Sequence, residues 1–281
     1  MIKKALIEIL QCPSCNDPSV RIDQIQDILY IFCLTCPSYT PWFYSMTKLS
    51  KCQISFSQIE KLLTMFIDNK TPKDAYDFLN YDFINEGMNI KTVRRYFTIF
   101  SEIALDFYNN SLDTIMLSGN IELDESHLFK EKKSSAPHRG YKLRNVWLFG
   151  LINRDTREYV MFPMNSRDEI TIHLAILKFV KLKSKIYSDS YCAYVNNYTK
   201  ESKLMPYGYI HEFICHKNEF VSKIFKEIHT NNIENLWKLV KQDLKKSRIT
   251  SKYVFAISRY FFHSKLTKTD QLNYLVKGLT K

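Results

Sequence analysis

Glycine is scarce in this chain, six among 281 residues, so the Gly-rich loops that cradle nucleotide phosphates are not expected. Long apolar runs are missing as well. The stretch YVFAISRYFF is short and carries Arg259, and no segment is predicted to span a bilayer. At the N-terminus, MIKKALIEIL sets two lysines before apolar residues, but Glu8 interrupts the run and no small-residue cleavage site follows. An intracellular protein is therefore expected. No internal repeat or low-complexity tract is present. Acidic residues are outnumbered, 29 against 40 Lys plus Arg, for a net charge of +11. That excess points to a polyanionic partner, nucleic acid before membrane, because no basic amphipathic helix stands apart as an anchor. A hydrophobic content of 45% and an aromatic content of 14% place the chain among folded globular proteins, and its length suits about two domains.

The seven cysteines are odd in number, which in a reducing compartment favours metal ligands or buried thiols over disulfides. Cys12-Pro-Ser-Cys15 and Cys33-Leu-Thr-Cys36 form two C-x-x-C pairs, and the ILYIFC run before the second pair has the composition of a strand. Each pair presents two thiolates to one point, and a hairpin between them brings the points together. A zinc ribbon over residues 1–45, holding one structural Zn²⁺, is the reading. Cys52, Cys192 and Cys215 complete no ligand set and are expected as buried thiols.

Residues 46–112 turn helical. Ser55 or Ser57 is placed to cap a first helix, Thr71 with Pro72 starts a second, and Asn89 precedes a third. Lys91, Arg94 and Arg95 lie near the start of that third helix, a pattern compatible with a helix-turn-helix whose last helix meets DNA. A plain helical connector with a basic surface fits equally well.

Past residue 112 the texture is α/β. GNIELDESHLF, NVWLFGLIN and REYVMFPM read as three successive strands, and DEITIHLAILKFVKLK as a helix. KIYSD and IHEFICHK read as two more strands before a final amphipathic helix. The basic link KEKKSSAPHRGYKLR between the first two strands reads as a mobile loop.

That last helix, in HTNNIENLWKLVKQDLKK, carries one glutamate, Glu234, at its head and a row of lysines behind it. Ile233, Leu236, Trp237, Val240 and Leu244 form its apolar stripe, while Glu234, Lys238, Lys241 and Lys245 share a face at the border of that stripe. Two readings of Glu234 are open. Either Asn231 caps the helix and Glu234 answers it in a capping box, with the lysines merely solvated. Or Glu234 joins Asp124 on the first strand and Asp189 at the end of KIYSD in a cage of hard oxygen ligands for Mg²⁺ or Mn²⁺, two ions in the usual arrangement, with the lysines facing phosphates.

The residues IELDES, HRGYKLRNVWLFGLINR, IYSDSYCAY, ICHKNEF and HTNNIENLWKLVKQDL, in this order, resemble the catalytic domain of DDE transposases of the Merlin superfamily and their bacterial insertion-sequence relatives, the ISXO2-like transposase domain. The zinc ribbon and helical region ahead of them also look like that family. The resemblance implies an RNase H-like catalytic domain over 113–281 with Asp124, Asp189 and Glu234 as its acidic triad. It matches Lys241 to a lysine two turns after the acid, and His216 and His229 to positions where relatives carry histidine. Because a relative can use asparagine at the third position, Asn231 stands as the alternative to Glu234. The implied activity is DNA transposition: binding of terminal inverted repeats, strand cleavage and strand transfer to target DNA by a homodimer or larger synaptic complex. Such an enzyme works in a nucleus or in bacterial cytoplasm. A domesticated DNA-binding protein that no longer cuts, and a structure-specific nuclease on the same fold, are the rival readings.

Overall fold

The computed structural model describes residues 11–25, 28–41, 54–82, 88–133, 142–214, 228–246 and 253–279. Their contacts divide the chain into two compact units, residues 1–109 with 258–281 and residues 110–257. The last residues, from Ser258 onward, thus cluster with the N-terminal part of the chain.

In the first unit, β1 (Val20–Ile25), β2 (Ile28–Cys33) and β3 (Tyr39–Pro41) form an antiparallel three-stranded sheet. Three helices follow, α1 (Phe56–Ile67), α2 (Pro72–Asp82) and α3 (Ile90–Thr114), each begun by the polar residue its sequence offers. The Ser55 hydroxyl accepts from Gln58 N at 3.1 Å while the Gln58 side chain accepts from Ser55 N at 3.0 Å, a full capping box. Thr71 and Asp74 exchange the same pair of bonds, and Asn89 accepts from Lys91 N at 2.8 Å. Such caps satisfy backbone donors that have no partner inside a helix. Phe66, Phe97 and Phe100 meet edge-on and tilted at the centre of this unit's core, which also takes in Phe262, Leu272 and Leu275 from the C-terminal residues.

The second unit is built on a mixed five-stranded sheet. Strands β4 (Asn120–Lys133), β5 (Lys142–Asn153) and β6 (Tyr159–Met164) run as an antiparallel meander. Helix α4 (Glu169–Phe179) then carries the chain back to β7 (Lys185–Asp189), which lies parallel to β4, and β8 (Ile210–Ile214) lies parallel to β7. The sheet order is β6-β5-β4-β7-β8, the mixed α/β architecture expected past residue 112. Ile172, Ile176 and Phe179 of α4 pack with Ile121, Leu123, Leu151 and Ile186 in one core. Helix α5 (Asn231–Lys246) packs against β4 and β5, with Ile233, Leu236, Trp237, Val240 and Leu244 buried along its apolar stripe. Helices α6 (Tyr253–Lys265) and α7 (Lys268–Leu279) end the chain.

The link between β4 and β5 differs from expectation. The ladder continues into the basic segment as far as Lys133 opposite Lys142, with a register shift between His127 and Phe129. Ladder bonds use backbone groups alone, so a charged sequence can extend a hairpin that an apolar one has begun. Among the described residues no helix is long and apolar enough to cross a membrane.

Candidate functional site

Two clusters of side chains stand out, one in each unit. In the first, the Sγ atoms of Cys12, Cys15, Cys33 and Cys36 all lie within 4.8 Å of one another. Cys12 and Cys36 are 3.5 Å apart, Cys15 and Cys33 3.6 Å. Thiolates at ~2.3 Å from one tetrahedral zinc ion stand roughly 3.8 Å apart, so the four sulfurs fit a single Zn²⁺. Backbone N–H groups of Ser14, Thr35 and Cys36 point at Cys12 or Cys33 sulfur at 3.3 to 3.4 Å. The β1–β2 hairpin brings the two pairs together. Of the other cysteines, Cys192 is exposed, because it sits in the turn after β7 and not in a core as expected, and Cys52 and Cys215 lie outside the described residues.

The second cluster is acidic. Strands β4 and β7 pair in parallel up to Glu122 opposite Tyr187, and two residues further along each strand lie Asp124 and Asp189. Alternation then fixes sides: Ile121 and Leu123 enter the core with α4, while Glu122 and Asp124 turn toward α5. Glu234 stands in the first turn of α5, its Oε1 accepting from the Thr230 hydroxyl at 3.1 Å. The Asp124 carboxyl is pushed up to about 7, chiefly by burial and in part by the negative charges of Asp189 and Glu234. The Trp237 indole N–H, 2.9 Å from Asp124 Oδ2, and the Glu125 backbone N–H pull the other way. All three acids therefore share one electrostatic neighbourhood. Asp189 Oδ1 accepts from Tyr191 N at 2.9 Å, which fixes its carboxylate at the carboxyl end of β7.

The start of α5 is capped from a distance. Glu122, fully buried, accepts from the backbone N–H of Asn232 at 2.8 Å and of Ile233 at 3.0 Å through one oxygen. Its other oxygen accepts from Asn232 Nδ2 at 2.7 Å and from Arg154 Nε at 2.8 Å. A carboxylate at a helix N-terminus satisfies orphan donors and complements the helix dipole. Thr230, not Asn231, precedes the helix, and Asn231 is exposed. The capping box that the sequence offers between Asn231 and Glu234 does not form, because its two donors are taken elsewhere: Glu234 N–H donates to the Thr230 carbonyl at 3.1 Å and Asn231 N–H to His229 Nδ1 at 3.4 Å.

On the opposite face Glu125 pairs with Arg167 at 2.8 Å and accepts from the Tyr194 hydroxyl. Burial pushes its carboxyl up to about 8 against the pull of Arg167, whose guanidinium is stacked 4.3 Å from the Trp147 ring and 4.0 Å from Tyr191. Of three neighbouring acids on β4, two carry an arginine and Asp124 carries an indole.

The family model of the ISXO2-like transposase domain matches residues 116–256, half of the chain, and spans all of these acids. The chain belongs to that family. No curated protein matches it. Membership gives the chain a transposase-type function, with DNA as partner and divalent-metal chemistry implied by the family.

Within this transposase domain, Lys238 is exposed on α5 with its Nζ 3.4 Å from Asn235 Oδ1, and Lys241 is partly exposed one turn further on. Lys245 continues the helix, but its side chain lies outside the described residues, as does His216. His229 is described: its Nδ1 is 3.3 Å from Glu122 Oε1, and its carbonyl accepts from Arg154 Nη2. That places His229 in the anchoring network at the helix start. Lys91, Arg94 and Arg95 are exposed on the first turns of α3, in the other unit.

Sequence reading gave no site role to Glu122, Arg154, Gly150 or Trp237. A signal existed for Gly150. A glycine inside the apolar strand NVWLFGLIN marks a place where something approaches the backbone closely. A Cβ there would lie 2.4 Å from Trp237 Cη2 and 3.0 Å from Ile233 Cδ1.

Proposed function

We propose that this chain is a DNA transposase that binds the terminal inverted repeats of its own element, cleaves at the element ends and joins them to target DNA. The observation that carries the reading is the gathering of Asp124, Asp189 and Glu234, with Asp124 held by neutral donors while its neighbours on β4 carry arginines. An acid raised by burial and by two neighbouring acids gains stability as an anion when a cation joins it. Three carboxylates form a hard-oxygen donor set that fits Mg²⁺ or Mn²⁺. Cations bound there supply activation of the attacking oxygen and neutralisation of the leaving one.

In this reading Asp124, Asp189 and Glu234 orient the attacking oxygen in line with the scissile bond. Water attacks phosphorus, the P–O3′ bond breaks, and a free 3′-hydroxyl and a 5′-phosphate result. That 3′-hydroxyl then attacks a target phosphodiester, so strand transfer conserves the number of phosphodiester bonds. Lys238, Lys241 and Lys245, along the helix from Glu234, bind backbone phosphates next to the reacting one. Asn231, exposed and without a carboxylate, is the weaker candidate for the third ligand.

The remaining parts follow the same reading. The sheet order, a meander joined to two parallel strands with helices on both faces, supports an RNase H-like domain within 113–281. The four-cysteine cluster supports a zinc ribbon in residues 1–45. The exposed Lys91, Arg94 and Arg95 support a DNA-reading role for the third helix of the 46–112 region, in a helix-turn-helix-like arrangement. Holding two element ends at once calls for a dimer or larger synaptic complex.

The deciding experiment is a cleavage and strand-transfer assay on DNA carrying the element's own ends, with Mg²⁺ or Mn²⁺. The wild-type chain is expected to cut and join, and Asp124→Asn and Asp189→Asn to bind this DNA yet do neither. Binding without cutting by the wild type would favour a domesticated DNA-binding protein. Cutting of branched DNA regardless of end sequence would favour a nuclease.

A further inference from the structure

Trp237 looks at first like one more residue of the apolar stripe, since only 5% of it is exposed. Its surroundings give it a second task. Register sets Gly150 of β5 directly opposite Asp124 of β4. The Trp237 ring lies in the space a side chain at position 150 would fill, and its Nε1–H donates to Asp124 Oδ2 at 2.9 Å. The indole thus sits on one strand and bonds the other. Trp237 follows Glu234 by three residues, close to one helical turn, so the seat of its ring also sets the rotation of α5 that presents Glu234.

The chemistry of this donor matters. Arg154 offsets the charge of Glu122, and Arg167 that of Glu125. An indole N–H is a neutral donor without acceptor capacity. It fixes the direction of a carboxylate and leaves its charge to be balanced by something else, as the outer partners of metal ligands do.

Resting on the proposed cation site, we propose that Trp237 is a positioning residue for that site, orienting the Asp124 carboxylate through its indole N–H and holding the rotation of α5 through its seat on Gly150.

The test uses the full-length, zinc-loaded protein and Mn²⁺ alone as the probe, with free Mn²⁺ followed by electron paramagnetic resonance. Trp237→Phe keeps a ring on Gly150 and loses the donor. Replacement of Trp237 by its benzothiophene isostere keeps the full ring shape and loses only the N–H, which guards against a folding defect. In both, the Mn²⁺ dissociation constant is expected to rise at least about tenfold, the lower end for loss of an outer partner of a metal ligand. Thermal unfolding without Mn²⁺ is expected to stay within a few degrees of wild type for the isostere. An unchanged Mn²⁺ affinity in the isostere would overturn the proposal. Asp124→Asn separates this outcome from failure of the site itself: if that variant binds Mn²⁺ as the wild type does, the cation site is wrong. If it loses Mn²⁺ while the isostere keeps it, only the role of Trp237 is wrong.

Discussion

Glu122 and Asn232 meet at 2.8 Å, carboxylate to backbone N–H, across 110 residues of sequence. This bond and its companions join the strand that carries Asp124 to the helix that carries Glu234. The two acids are thereby held in relation by a third, whose oxygens are taken up by the helix start and Arg154. Capping, one of two readings open for Glu234 when the sequence is read alone, falls to Glu122 in the fold, and the proposed cation site is the reading that remains for Glu234.

Replacing Glu122 with alanine should therefore be costly. It removes a fully buried carboxylate and takes from Arg154, whose side chain is 13% exposed, its ion pair with Glu122. Breaking a buried pair from one side typically costs about 3–5 kcal/mol. Two α5 donors, the N–H groups of Asn232 and Ile233, also lose their acceptor. The expected result is an unfolding free energy lower by that amount for the unit comprising residues 110–257, taken from urea unfolding read by tryptophan fluorescence. A shift below about 1 kcal/mol would mean that water replaces the carboxylate without loss.

Glu234→Gln should separate structure from chemistry. With the helix capped by Glu122, the only contact of the Glu234 side chain described above is the Thr230 hydroxyl at 3.1 Å, which an amide oxygen can also accept. Stability should stay within about 0.5 kcal/mol of wild type, as for other substitutions away from buried networks. Strand cleavage should fall by a factor of 10² or more, roughly the loss on removing one transition-state stabiliser. Cleavage retained at the wild-type rate would turn the search for the third ligand to Asn231.

Much of this was legible in the sequence, for identifiable reasons. The meander and the alternation after it show because each segment carries its own period, two for strands and 3.6 for helices. The cysteine pairs show because their spacing encodes their geometry. Glu122 as a cap was not legible: caps are sought within a few residues of a helix, and this one arrives from a strand far upstream. Trp237 was legible as core but not as donor, since periodicity reports which face is buried and not which atom crosses to the next strand. For the same reason the apolar faces of α6 and α7 announce that they need partners without naming them. Residues 258–281 read as continuous with the domain before them, yet they pack with α1 and α3.

The purified protein should carry about one zinc per chain, measured by atomic emission after preparation without chelator. Cys33→Ser should lose it, because a hydroxyl at neutral pH is not an anionic ligand and Cys33 is one of the two buried cysteines of the set. Acidification should also release it, since protons compete with zinc for thiolates. Stoichiometric zinc retained in Cys33→Ser would place the metal elsewhere.

His211 should make the second unit sensitive to acid. Its ring joins β8 to β7 and to the loop between them, Nε2 lying 2.8 Å from Ser188 Oγ and Nδ1 2.7 Å from Ser202 Oγ. Ser188 donates its own proton to the Asp189 carbonyl, so it accepts from Nε2–H, and Nδ1 is left to accept from Ser202. Ser202 Oγ already accepts from the backbone N–H groups of Leu204 and Met205, which makes it a poor partner for an added N–H at Nδ1. Burial holds the ring's pKa down at about 4, against an ordinary 6.5. The native state thus favours the neutral form. This contribution is fully present above about pH 6.5 and is lost as pH falls toward 4, by about 3 kcal/mol at most. Asp124 and Glu125, raised to about 7 and 8, act with the opposite sign, contributing stability at low pH that fades as pH rises through those values. The net profile therefore mixes the two effects, and a variant is needed to isolate the histidine. His211→Gln can donate to Ser188 and accept from Ser202 without titrating. Urea midpoints of wild type and variant, measured at pH 7, 5.5 and 4, should converge as pH falls, the wild type losing its advantage in that window. Parallel profiles would show that His211 is not the group through which acid acts.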